Sequence, residues 1–535
     1  MNTLRLRMKS YIQPFERVLA LRELRAAAMA EPRHLGLFEE TSTDFEVLSA
    51  AQRQTLASRL AYWEIVEQHD GNSITLQSLR ESTTNVARNG SEIPDLEEML
   101  PFGSEVPFPN RRCLRYGPHG IHEYRGKFFP QLVRSLINIS GTCPGGVVAD
   151  PMSGSGTTAV EAVLSGCNTV GLDMNPLSVF LGRTKCQLLY EDPITLKNAY
   201  LEIFDRLSRE RPRKRNKLDY FSTLPNVDQH YLSLWFSKSV LAELDDISVA
   251  IESIRSEGAR NLMRISLSNI IRRVSWQKED DLRVRKEVRP DSEIDGKAEF
   301  LEELSRSVRS VLAFLYQNGP VSSGMYSLAE GDARACSTIW SRASDSIDVV
   351  ITSPPYATAL PYLDTDRLSL CYLGLLSRSA HRRRDETMIG NREVTDRVRR
   401  EYWTRFERDK DILPASVQTL IRTIDRLNAG TDVGFRRKNL PALLSKYFFD
   451  MREVFLGMRK LLKPCGWAFV VVGNNHTIAG GKRIEIHTAK LLAEIARMLK
   501  FEVLESLSMD MLVSRDIFRR NAMASEEILA FRKPT

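Results

Sequence analysis

Through the first 95 residues, apolar side chains recur three and four positions apart, as in FEVLSAAQRQTLASRLAYWEIVEQ (45–68). That spacing predicts a mainly helical N-terminal region, 1–115, ending in the Pro- and Gly-rich stretch EMLPFGSEVPFPNRRCLRYGPHG (98–120). The pattern then changes. GGVVADPMSGSGTTAVEAVLSGCNTVGLDMNP (145–176) reads as strand, glycine loop, helix, strand, which is one βαβ unit of a parallel sheet. Residues 191–322 are mostly helical and charged, and they interrupt this rhythm. It resumes at MYSLAEGDAR (325–334) and DSIDVVITSPPY (345–356), and a second charged segment, 377–440, follows. The helix YFFDMREVFLGMRKLLKP, the strand GWAFVVVGNN and the helix HTAKLLAEIARMLK come next. FEVLESLSMD and EEILAFRK then pair as a terminal antiparallel hairpin. The expected architecture is one α/β domain, 116–190 and 323–535, interrupted twice and preceded by the helical region.

Composition adds little beyond class. The chain has 535 residues, 42% hydrophobic and 27% charged, with a formal net charge of +7 that permits a polyanionic partner without demanding one. Its seven cysteines, at 113, 143, 167, 186, 336, 371 and 465, form no CxxC pair, which suits a reducing, cytoplasmic setting and argues against a zinc cluster. The N-terminus lacks the apolar core of a signal peptide, and no run is long enough to span a bilayer.

Candidate chemistry lies at two strand ends. In VVADPMSGSGTTAVEA, a strand stops at Asp150, and Gly154 and Gly156 allow a ligand to approach the backbone before a helix begins near Thr157. The next strand ends at Asp173, where a dinucleotide-type crevice holds a ribose hydroxyl pair. There is no Gly-Lys-Ser/Thr of a P-loop, and the third glycine of GxGxxG is missing. Asp150 would repel a pyrophosphate and suits a ligand with a positive end, which points to S-adenosyl-L-methionine. A glycine-rich turn with a helix cap and no ligand is the plainer reading. At the second strand end, Pro354 and Pro355 stop a buried strand, because proline has no N–H for the ladder.

Together DPMSGSGTT (150–158) and TSPPY (352–356) resemble the amino-group DNA methyltransferases, which alkylate exocyclic nitrogens of cytosine or adenine. The resemblance covers roughly 115–190 and 325–535. It implies a Rossmann-like class I methyltransferase fold with S-adenosyl-L-methionine as cofactor and double-stranded DNA as partner. The catalytic segment is Ser353, Pro354, Pro355 and Tyr356. The Ser353 side chain and the Pro354 carbonyl, fixed because a following proline confines its residue, accept the two amino hydrogens. Tyr356 stacks on a base swung out of the duplex. The cofactor pocket takes Asp150, Pro151, Ser153, Gly154, Gly156, Thr157 and Asp173. HEYRGKFFP (122–130) adds Tyr124, Lys127 and Phe128, and AEGDAR adds Asp332 near the adenine amino group. Lys127 is equally readable as part of a covering loop, and Asp332 as a cap. No metal is implied.

Serine in the first position resembles the cytosine-N4 subset, a modification enzyme with a possible cognate restriction endonuclease. Some adenine-N6 enzymes share the serine, and an RNA base methyltransferase or an inactive nucleic acid-binding subunit are rival readings. Two departures weaken any transfer of a target-recognition region. The cofactor motifs precede the catalytic one, and a long insertion separates Asp173 from Asp332. Basic residues beside aromatics or after the catalytic strand are the candidates for DNA contact: Arg213, Lys214 and Arg215 in the first insertion, and Arg383, Arg384 and Arg436 in the second. Solvated helix faces are the plainer account of both. Asp364 either orients the substrate amine or caps a helix.

Overall fold

A computed structural model describes the chain except residues 1, 90–91, 104, 125, 210–217, 279–284, 291–293, 358–361, 392–393, 430–433 and 511–524. Arg213, Lys214 and Arg215 lie outside the described residues.

The N-terminal region corrects the sequence reading. It is built on a five-stranded sheet ordered β2-β3-β1-β4-β5: β1 (Asn2–Met8), β2 (Arg33–His34), β3 (Asp44–Ser49), β4 (Trp63–Gln68) and β5 (Gly71–Ile74). Helix Pro14–Ala28 packs on it. The physical reason is visible in β1, where Leu4, Leu6 and Met8 alternate inward with exposed Thr3, Arg5 and Arg7. The segment 45–68, whose apolar spacing of three and four predicts mainly helix, is β3, a short helix and β4.

The second sheet has seven strands in the order β13-β14-β10-β9-β6-β7-β8. These are β6 (Val147–Asp150), β7 (Asn168–Asp173), β8 (Tyr326–Glu330), β9 (Ile347–Thr352), β10 (Leu462–Gly473), β13 (Glu502–Asp510) and β14 (Ser525–Arg532); β11 (Asn475–Ala479) and β12 (Lys482–Ile486) form a separate hairpin. β8, β7, β6, β9 and β10 run parallel, and β14 is antiparallel to both neighbours. This is the class I methyltransferase sheet, with the expected terminal hairpin. Chain order reverses between β6 and β9, which opens a crevice at their carboxyl ends. Strand residues alternate between two cores. Val148, Val349, Ile351 and Phe469 face the N-terminal region, and Ala149, Val350, Ala468 and Val470 face helix Phe435–Leu461.

The first insertion is not a loose appendage. Its helices share one apolar core with helix Pro176–Leu188, and helix Gly296–Asn318 packs on helix Leu76–Arg88 of the N-terminal region. Gly117, at φ +50°, lets Phe314 of that insertion pack against the backbone; a Cβ there would sit 2.5 Å from the ring.

Buried charge ties the segment ahead of β6 to the helix that follows it. Glu161, in helix Thr157–Leu164 after the glycine loop, accepts from Arg134 at 2.8 Å, Tyr116 at 2.6 Å and His119 at 2.9 Å, all buried. Burial by itself raises this carboxyl, but the Arg134 guanidinium and the His119 contact outweigh it and hold the pKa at about 2. A depressed carboxylate pKa contributes stability above the unfolded value, lost as pH falls towards the folded one. Replacing Glu161 by Ala strands Arg134 in the interior and is expected to cost about 3–5 kcal/mol in urea denaturation at pH 7. The difference from wild type should shrink when the titration is repeated at pH 3.

Candidate active site

The end of β6 and the end of β9 are tied together by one buried contact. The Thr352 hydroxyl donates to Asp150 Oδ1 at 2.7 Å, and the Met152 N–H donates to the same oxygen at 3.1 Å. Ser353, Pro354, Pro355 and Tyr356 follow directly, so the Ser-Pro-Pro-Tyr turn starts beside the glycine loop. Pro354 is buried and the other three are half-buried. Tyr356 packs against the core formed with helix Phe435–Leu461, and its hydroxyl donates to Glu526 at the start of β14.

The loop itself depends on its glycines. Gly154 and Gly156 have φ of +48° and +78°, a left-handed backbone that favours glycine. A Cβ on Gly156 would meet Gly182 at 2.5 Å, so these two glycines let helix Pro176–Leu188 pack against the loop. Above Gly154 lies the Tyr124 ring, 3.3 Å from where a Cβ would stand, with its hydroxyl 2.8 Å from Ser178 Oγ. Pro151, Ser153 and Thr157 are buried in the turn, and the Ser153 N–H bonds the Leu172 carbonyl at 2.8 Å. Asp173, at the end of β7, accepts from the N–H groups of Gly154 and Asn175, each at 2.8 Å. It both shapes the loop and borders the crevice.

Burial pushes the carboxyls of Asp150 and Asp173 up to about 6 each, against hydrogen bonds that favour their ionised forms. Two acids held this way, beside a cradle that a side chain would fill, fit a ligand with a positive end. The residues present therefore suit a sulfonium carrying an amino acid arm.

The other predicted residues take varied places. Lys127 donates to the carbonyls of His119 and His122, fastening the covering loop, and Phe128 packs on the core facing the N-terminal region. Asp332 caps the short turn after β8, accepting from the Arg334 N–H at 3.0 Å, and both its oxygens also receive the Arg334 guanidinium. Burial raises its pKa, but Arg334 outweighs that and leaves it below the usual carboxylate value. Asp364 pairs with Arg367 at 3.3 Å. Arg383 and Arg436 are exposed, whereas Arg384 turns inward to the Met174 carbonyl and Glu330. Thr352, Arg334 and Glu526 escape sequence reasoning. Glu526 sits in EEILAFRK, where only strand alternation is readable.

Comparison with known proteins agrees with this geometry. Residues 122–207 match the family model described as UPF0020, RMKL-like, methyltransferase domain. The chain is 22% identical over 422 residues to Type II methyltransferase M.BsoBI of Geobacillus stearothermophilus, covering 69% of this chain and 78% of that one. It is 23% identical over 398 residues to Type II methyltransferase M.MvaI of Kocuria varians, covering 70% and 80%. With Type II methyltransferase M.MjaII of Methanocaldococcus jannaschii it shares 24% over 321 residues, covering 46% and 60%. Among solved structures, TrmN from Thermus thermophilus matches with 10% identity and a TM-score of 0.31 over the full length of both chains. At that similarity the fold assignment rests on sheet order.

Sheet order defines a class I methyltransferase fold, and the matching methyltransferase domain model and relatives imply S-adenosyl-L-methionine as the cofactor. Within that class the relatives it resembles are named Type II methyltransferases.

A carboxyl whose folded pKa is raised contributes stability below its unfolded value, and that contribution is lost as pH rises through the folded pKa. Ionised Asp150 thus weighs against the unliganded protein at neutral pH. Asp150→Asn, which keeps an acceptor for Thr352, is expected to stabilise the apoprotein by about 1–2 kcal/mol at pH 8 and by little at pH 4. Denaturant midpoints at the two pH values check this; the same variant should lose cofactor affinity by calorimetry.

Proposed function

We propose that the protein is a site-specific DNA methyltransferase that moves a methyl group to the exocyclic N4 of cytosine in double-stranded DNA, as the modification enzyme of a restriction-modification system. The observation that carries this reading is the 2.7 Å bond from Thr352 to Asp150, which supports a role for Ser353 and Pro354 at the mouth of the cofactor crevice. The relatives from Geobacillus stearothermophilus and Kocuria varians are named Type II methyltransferases, which supports DNA methylation and a cognate endonuclease as partner.

The cytosine amino nitrogen is a weak nucleophile because its lone pair is delocalised into the ring. Ser353 Oγ and the Pro354 carbonyl accept its two hydrogens and draw the nitrogen towards tetrahedral geometry. Tyr356 presents its ring to a base turned out of the duplex, since chemistry on a stacked base is blocked. The cofactor supplies an electrophilic methyl on sulfur. The remaining contribution is orientation, which held reactants turn into rate. Serine, in place of the acid of many adenine enzymes, supports cytosine. Arg383 and Arg436 are exposed cations on the second insertion, suited to phosphate contact.

The test is mass spectrometry of nucleosides from duplex DNA incubated with protein and labelled cofactor, with RNA in parallel. Labelled N4-methylcytosine is the expected product. N6-methyladenine alone would reassign the base, label in RNA alone would reassign the substrate, and binding without label would leave a non-catalytic subunit. Ser353→Ala is expected to lower turnover by about 100-fold or more while cofactor affinity stays within about twofold.

A further inference from the structure

Beside the proposed reaction centre, three cations grip one short stretch of the second insertion. Helix Arg378–Thr387 ends over the carboxyl ends of β7 and β8, which are register neighbours through Asp173 and Glu330. Arg384 donates to the carbonyl of Met174, just past β7, at 2.7 Å, and to Glu330 at the end of β8 at 3.2 Å. Arg334 donates to the Thr387 carbonyl at 2.8 Å, and Lys446 to the Met388 carbonyl at 2.8 Å. Both cations are anchored below: Asp450 pairs with Arg334 at 3.0 Å and with Lys446 at 2.6 Å. Ile389 then drops into the core that faces helix Phe435–Leu461.

In a doubly wound sheet the acid that ends the second strand, here Asp173, holds the ribose, so the nucleoside part of a ligand in the crevice extends towards the ends of β7 and β8. The Arg384 guanidinium, whose Nη1 bridges both ends, borders that space. We propose that residues 384–389 are the adenosine-side wall of the cofactor pocket, with Arg384 a cofactor-positioning residue and not a DNA contact. Asp332 acts through Arg334 to hold the wall in place, since both its oxygens are engaged by that guanidinium. The assignment rests on the methyltransferase reading and adds to it the element that closes the cofactor site.

S-adenosylhomocysteine binding by calorimetry, and duplex DNA binding by anisotropy at fixed salt, separate the roles. Arg384→Ala is expected to weaken S-adenosylhomocysteine binding at least tenfold and to change DNA affinity by less than twofold. Arg383→Ala, at the exposed neighbouring position, should leave S-adenosylhomocysteine affinity unchanged. Hydrogen exchange on wild type gives a reading that needs no variant: the amides of 384–389 should slow when S-adenosylhomocysteine is added. An Arg384→Ala protein with full S-adenosylhomocysteine affinity, or one that loses only DNA binding, would overturn the assignment. So would unchanged exchange at 384–389 under saturating ligand. Wild type that fails to bind S-adenosylhomocysteine at all would count against the methyltransferase reading itself.

Discussion

The whole site depends on one buried hydrogen bond, from the hydroxyl of Thr352 to the carboxylate of Asp150. It joins the last residue of β9 to the last residue of β6 across the point where chain order reverses. Direct pairing between these two strands covers Val148–Val349 and Ala149–Val350 and stops short of both ends, which are laddered only to their outer neighbours, Thr352 to Val470 and Asp150 to Gly171. A low-dielectric surrounding strengthens a charge-assisted bond of this kind and makes its loss costly. The price is a carboxylate kept out of water, visible as a pKa raised to about 6. A cofactor with a positive end relieves that cost, so the bond that places the motif also makes the crevice receptive.

Much of this was legible in the chain. Strands buried on both faces read as continuous apolar runs, and Val147–Asp150 and Ile347–Thr352 stop at loop-forming residues, so their ends can be located. Both loops sit at those ends, which is why Thr352 meets Asp150 and the Gly154 N–H meets Asp173. The N-terminal sheet was hidden because its strands are short. β3 and β4 flank a seven-residue helix, and their apolar positions interleave with its spacing to imitate amphipathic helix. Glu526 and Thr352 were hidden for another reason. Their partners are 170 and 202 positions away, and a period along the chain carries no information about contacts of that range.

Charge in the insertions shows the same limit from the other side. A run of arginines reads as a patch for phosphates, yet the fold gives neighbouring arginines opposite settings. Arg383 points to solvent, whereas Arg384 bridges β7 and β8. Arg367, paired with Asp364, lies over the rings of Tyr231 and Trp235 at 5.4 and 5.7 Å, joining the segment after the Ser-Pro-Pro-Tyr turn to the first insertion. A planar guanidinium stacks, forks and snorkels, so its presence in a sequence does not specify a partner.

These inward arginines explain why two long interruptions do not loosen the sheet they interrupt. A connection that only looped out would leave the crevice ends of β7 and β9 exposed to motion, and a methyl transfer needs its reacting atoms held closely. Here each interruption returns as packing. The first supplies a helical core continuous with helix Pro176–Leu188, and the second supplies a strap anchored through Asp450. Glu161 ties the segment ahead of β6, through Tyr116, His119 and Arg134, to the helix that starts at the glycine loop. The segments that match no motif thus frame the ones that do, and the rigidity of Ser353 and Pro354 is a property of the whole chain.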